Sequence, residues 1–256
     1  MKRVSCLIFI LFTSLKLYAT PTLINHVAWT NSGSGNSATS PSVNMVGATL
    51  LVMVNESYGD SLAECGNGNA SDSTGSNNWI LGPSTLESDS NTGQICLWYV
   101  VNPIVTSSQT FTCSGSYYSI CFAFGWSGVS ISSPFDGSNV NNSLTTSSSA
   151  PWTTNSVSTS GTDLCIAGGD GYYGGTETSW SITGTGWNTL DYYISSGGNY
   201  IGGVVGYVIS GGSVSGNINP IGESYASAQS AAIIACFLPT ISSGVTHILT
   251  SLGAGR

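Results

Sequence analysis

Short apolar runs separated by clusters of Gly, Asn, Ser and Pro dominate this chain. Residues 48–54, 94–101, 119–127, 163–167, 200–209 and 231–238 are each largely apolar. Their length suits buried β-strands better than helices, and no window sustains a helical period. Residues 48–54 and 231–237 are apolar on both alternating faces, which predicts central strands covered from two sides. Thr110-Phe111-Thr112-Cys113 alternates and predicts a half-buried strand. Val27-Ala28-Trp29 reads as an edge strand within a polar lead-in over 20–43. A strand pair is expected over 180–193 and a further strand over 213–218. Residues 55–78 read as a surface loop, 130–161 as a Ser/Thr-rich crossover, and 168–175 as a glycine-rich loop.

The two halves of the chain echo one another. Strand 48–54, Asn78-Trp79-Ile80-Leu81, strand 94–101 and Ile120-Cys121-Phe122 run in order in the first half. Strand 163–167, Trp187-Asn188-Thr189-Leu190, strand 200–209 and Ile234-Ala235-Cys236-Phe237 follow the same order in the second. Trp79 and Trp187 hold equivalent places and are expected in the core. The expected fold is all-β: one antiparallel β-sandwich of jelly-roll type, with eight or more strands and a pseudo-twofold repeat of the strand pattern. Two separate small sandwiches are the alternative, disfavoured because halves with so few strands would leave edges exposed. A membrane β-barrel needs lipid-facing alternation in strand after strand, whereas the strongest runs here are apolar on both faces.

Residues 119–138 organise the chain. The run 120–126 breaks at Gly128 and turns through Ser133, Pro134, Asp136 and Gly137, all turn-forming residues. An aromatic-Ser-Gly-Val strand end (Trp126 to Val129) followed by Pro134-Phe135-Asp136-Gly137-Ser138 resembles a β-sandwich module that recurs in large secreted and surface proteins of bacteria. Asp72-Ser73-Thr74-Gly75 with Asn78-Trp79 fits the same module, although Ser76 and Asn77 intervene where the module has Gly and Asn adjacent. Thr162-Asp163-Leu164 fits its Asn-Asp-Leu strand opening. The resemblance covers roughly residues 40–238 and implies a fold. It carries no catalytic residues.

The ends of the chain change the charge picture. Lys2 and Arg3, a mostly apolar stretch over 4–15 and Leu17-Tyr18-Ala19 predict a signal peptide over 1–19, too short to span a bilayer. The sandwich then occupies 20–238, with a tail over 239–256 and no later segment fit to cross a membrane as a helix. Three of the four basic residues lie in the leader, so twelve carboxylates face Arg256 alone and the net charge is −11. Nucleic acid is excluded as a partner, since Lys and Arg must displace counterions from its phosphates. Charged residues are only 6% while apolar residues are 41%, a balance that argues against disorder. Beyond Cys6, the cysteines are Cys65, Cys96, Cys113, Cys121, Cys165 and Cys236. An even number in an exported chain predicts at least one disulfide, and no Cys-x-x-Cys spacing is present.

Candidate chemistry is sparse. Tyr172 and Tyr173 in the glycine-rich loop, with Trp180 and Asp170 nearby, form the predicted ligand site. Aromatic faces stack on sugar rings while polar groups bind hydroxyls. Asp60, Glu64, Asp72, Glu87 and Asp89 lie in loops and make calcium the one candidate cofactor, without an EF-hand pattern. Asp72 and Asp136 also suit turn capping alone. A glycosidase would need two carboxylates across a bond, such as Glu177 with Glu223 or Asp170. A Ser-His-Asp arrangement would have to draw on His26 or His247. The expected function is a secreted, non-catalytic module binding a glycan or cell-surface macromolecule. The alternative is a structural subunit of an extracellular fibre, surface layer or matrix.

Overall fold

Every regular element among the described residues is a β-strand, as alternating and doubly apolar runs dictate. The computed structural model describes residues 17–31, 37–57, 65–66, 68–86, 93–114, 119–145, 152–172, 179–194, 201–221 and 228–242. The first half contains β1 (Leu17–Tyr18), β2 (Thr22–Asn31), β3 (Ser37–Thr39), β4 (Leu50–Ser57), β5 (Ala70–Asp72), β6 (Ile80–Leu86), β7 (Gln94–Val101), β8 (Phe111–Ser114) and β9 (Ser119–Ser127). The second contains β10 (Phe135–Thr145), β11 (Trp152–Thr153), β12 (Val157–Tyr172), β13 (Ser179–Thr183), β14 (Asn188–Ile194), β15 (Ile201–Val214), β16 (Asn217–Ile221), β17 (Ala228–Phe237) and β18 (Ile241–Ser242).

The strands form antiparallel sheets whose order repeats. One five-stranded sheet runs β2-β9-β4-β7-β6 and the other β10-β17-β12-β15-β14. Two three-stranded sheets run β3-β8-β5 and β11-β16-β13. Each strand from β2 to β9 thus has its counterpart eight strands later, and the four repeats named from the sequence are β4/β12, β6/β14, β7/β15 and β9/β17. The single sandwich expected from the sequence gives way to four layers. Leu50, Val52, Val54, Phe122 and Phe124 meet Leu164, Ile166, Val205, Ile233 and Phe237 between the two five-stranded sheets. Leu51, Met53, Trp98 and Ala123, on the opposite face of the first, pack under Phe111 and Ala70 of its three-stranded partner. Cys165, Ala167 and Ile234 likewise pack under Trp152, Trp180 and Ile218. Both faces of the central strands of each five-stranded sheet are therefore buried, which is why β4 and β17 read as unbroken apolar runs.

Three expected loops are partly strand. The crossover over 130–161 holds β10, β11 and the start of β12. The loop over 55–78 holds the end of β4 and all of β5, and the glycine-rich segment continues β12 as far as Tyr172. Glycine there serves close packing. A Cβ on Gly169 would lie 2.7 Å from Ile218 Cγ1, and one on Gly168 would lie 3.1 Å from Val54 Cγ1. Glycine in a strand marks such an approach. In the expected tail, β18 pairs with Leu17 and Tyr18 of β1.

Three disulfides join Cys65 to Cys96, Cys113 to Cys121 and Cys165 to Cys236. Cys113–Cys121 ties β8 to β9, linking the outer and inner layers of the first half. Cys165 and Cys236 face each other directly across the β12–β17 ladder.

Candidate functional site

The turn after β5 builds an open cleft of about 760 Å³. Asp72 ends β5, and its carboxylate organises that turn. Oδ1 accepts the Thr74 amide at 2.9 Å and also the Thr74 hydroxyl, while Gly75 turns the chain at φ 63°. Oδ2 accepts Asn77 Nδ2 at 3.0 Å and the Trp79 indole N–H at 2.9 Å. Asn77 in turn brackets Ile104: its Oδ1 accepts the Ile104 amide at 2.7 Å and its Nδ2 donates to the Ile104 carbonyl at 2.8 Å. The residue that departs from the resembled motif thus clamps a neighbouring loop. Trp79 packs edge-on against Phe111, ring centroids 6.1 Å apart, and stays half-buried rather than fully in the core.

Ser71, Asn77, Asn78, Trp79 and Ile80 line this cleft beside Asp72. Ser71 and Asn78 are exposed, and Ile80 is 40% exposed. An indole, an isoleucine, amides and a hydroxyl offer an apolar platform edged by hydrogen-bonding groups. The Asp72 carboxylate already receives four hydrogen bonds, so it positions the turn and is not free for proton transfer. Asp72→Ala is expected to cost about 1–2 kcal/mol of stability by orphaning the Thr74 amide and the indole N–H, read by denaturant unfolding.

Two further carboxylate pairs lie elsewhere. Glu56 on β4 and Asp170 on β12 occupy equivalent positions: Glu56 stands between Ile95 and Ile120, and Asp170 between Gly203 and Ala231. Both lie on the faces that the five-stranded sheets turn toward each other. Glu56 is 0% exposed, and no described N–H or O–H meets its oxygens in good hydrogen-bond geometry. Its carboxyl lies where a Cβ on Gly203 would be, so glycine is required there. Burial, then repulsion by Asp170, pushes Glu56 well above the usual carboxylate range, against the pull of the Val204 amide. The other pair is Asp136 and Asp163, where burial and contact with Asp136 push Asp163 up to about 7. The bond to Asp163 and the Ser160 amide hold Asp136 below its ordinary value.

The structure describes only part of the sequence-predicted ligand site. Trp180 is 1% exposed and packs edge-on to Trp152 at 5.4 Å, because β13 turns it into the layer beneath β12. Asp170 is buried in the middle of the molecule, not on a loop. Tyr172 ends β12, with its backbone opposite Ile201 and Gln229, and Tyr173 lies outside the described residues. Glu177, Glu223 and His247 lie outside them too, as do Asp60, Glu64, Glu87 and Asp89. Trp187 is partly buried, its indole N–H donating to the Ser215 carbonyl at 2.9 Å.

His26 is engaged in an ion pair, Nδ1 to Asp191 Oδ2 at 2.5 Å, which bridges β2 of one five-stranded sheet and β14 of the other. The hydrogen bond to Asp191 raises the His26 pKa. The pair therefore contributes stability below the ordinary histidine pKa and loses it as pH rises past the raised value. Among the described residues no three His, Cys, Asp or Glu side chains converge to hold a metal. The Asp72 cleft was legible only as a turn motif, since nothing in the sequence showed that the turn stands Trp79 half-open beside Asn78. No protein-family model, curated protein or solved structure matches the chain.

Proposed function

We propose that the protein is a secreted, non-catalytic binding module that recognises an uncharged glycan in the cleft beside Trp79. The observation that carries this reading is the cleft itself: a half-exposed indole, held by Asp72, next to the exposed Asn78 and Ser71. Sugar rings present C–H faces to an indole and hydroxyls to amides, and such sites combine an apolar surface with a few placed polar groups. With no Lys or Arg among the described residues and a strongly acidic chain, anionic glycans are disfavoured and neutral ones fit. The layers are read as two jelly-roll-type halves joined through their five-stranded sheets, and three disulfides are compatible with an extracellular, signal-directed protein.

A glycan-array screen of the purified protein tests this. Binding to neutral glycans is expected, weakened about tenfold by Trp79→Ala. Asn78→Ala and Ser71→Ala, both at exposed positions, are expected to weaken binding without changing the melting temperature. Absence of binding across the array, or binding indifferent to all three variants, overturns the reading and favours the structural-subunit alternative.

A further inference from the structure

Asp136 and Asp163 are brought together by two irregularities in otherwise regular ladders. A register shift between Phe135 and Gly137 leaves Asp136 out of the β10–β17 ladder. A second shift, between Thr159 and Asp163, frees residues 160–162 from the β12–β15 ladder. Bulges re-aim side chains, and here they aim two carboxyl groups at each other. Asp136 Oδ2 accepts the Ser160 amide at 2.8 Å and the Ser160 hydroxyl at 3.2 Å. Asp163 is 0% exposed, yet neither of its oxygens accepts a hydrogen bond from any described N–H or O–H. Such a group needs an electrophilic partner, because a buried acceptor left unmet costs about 1–3 kcal/mol, more when charged.

The internal repeat shows what a purely structural residue looks like at this place. Leu50 stands opposite Trp126 as Leu164 stands opposite Phe237, so Thr49 is the counterpart of Asp163. The Thr49 hydroxyl settles its own hydrogen bonding by donating to the Trp126 and Val129 carbonyls at 3.3 and 3.2 Å. The second half has a carboxylate where that hydroxyl suffices, and faces it with another carboxylate. No lysine or arginine among the described residues is available to neutralise the two.

We propose that Asp136 and Asp163 bind a divalent cation, calcium by the hardness of their oxygen donors, with Asp136 as the half-exposed entry side. Carboxylate oxygens are the ligands calcium selects, and water or backbone carbonyls complete its shell. Asp136 is the charged group facing Asp163, and Ser210, opposite it on β15, is neutral.

Calorimetric titration of the purified full chain with calcium chloride, alongside thermal melts with calcium or a chelator, tests the site. The expected result is one calcium ion bound and a higher melting temperature with calcium than with the chelator. Asp136→Asn, at a half-exposed position that leaves the core intact, is expected to weaken calcium binding at least tenfold, and Asp163→Asn to abolish the calcium-dependent shift. No calcium response in the unaltered protein would overturn the proposal. So would a calcium response that survives Asp136→Asn undiminished.

Discussion

Gly169→Ala lowers stability by about 2–3 kcal/mol, or about 5–10 °C in melting temperature for a chain of this size. In a surface glycine loop the same change would be close to neutral or mildly stabilising. The difference comes from Ile218, whose Cγ1, Cδ1 and Cγ2 would lie 2.7, 2.9 and 2.9 Å from the new methyl. A β-branched side chain has one dominant χ1 well and cannot swing aside within a packed layer. Relief requires the three-stranded sheet carrying β16 to lift from β12. The double variant Gly169→Ala/Ile218→Ala checks the mechanism. Its loss should be smaller than the sum of the two single losses, because the methyl then fills the space that Ile218 vacates. Thermal and denaturant unfolding read both, and additive losses would place the cause elsewhere.

Glu56→Gln is expected to stabilise the protein at neutral pH by about 1–3 kcal/mol and to flatten its stability between pH 5 and 8. Glu56 is fully buried between the five-stranded sheets and repelled by Asp170. Its folded-state pKa is raised, so the native state binds a proton that the unfolded chain gives up above the ordinary glutamate value. Stability is then greatest in acid, falls as pH rises through that value, and levels off only above the raised one. Glutamine keeps the shape of the protonated acid, including the fit over Gly203, but needs no proton. The unaltered protein should therefore melt higher at pH 5 than at pH 7.5, and the variant should lose that contribution. A variant with an unchanged pH profile would show that Glu56 titrates normally.

The elements that were legible in advance are those whose side chains report both of their surroundings. β4 and β17 have apolar residues on both faces, and this told of strands covered twice. The repeat of β4, β6, β7 and β9 as β12, β14, β15 and β17 could likewise be read from order alone. The stretches misread as loop are those where the packing partner, not the residue, sets the choice. Gly168 and Gly169 have the local preference of a turn, but the close approach of Val54 and Ile218 makes them strand. In β10 the polar sequence Asp136 to Asn139 resembles a crossover, yet an edge strand tolerates it because one side of its ladder meets solvent.

The candidate sites divide in the same way. Asp72 could be named from the sequence as a turn cap because an Asx turn is local, its partners two to seven residues away, whereas Trp79 was expected in the core. Trp180 could not be placed, because an aromatic among Thr and Ser reads the same whether its strand turns it inward or outward. One residue of register decides between those faces. The pairs Glu56 with Asp170 and Asp136 with Asp163 join residues far apart in the chain.

By itself, then, the sequence determined an all-β, acidic, cysteine-bearing chain with a twofold strand pattern and only four basic residues. Those properties depend on composition and on periods of a few residues, which every stretch of chain carries locally. Only the tertiary structure decided that the pattern makes four layers rather than two, which carboxyl groups meet, and which tryptophans are fully buried. These depend on strand order and register, and the contacts that settle them lie between residues whose separation no local pattern encodes.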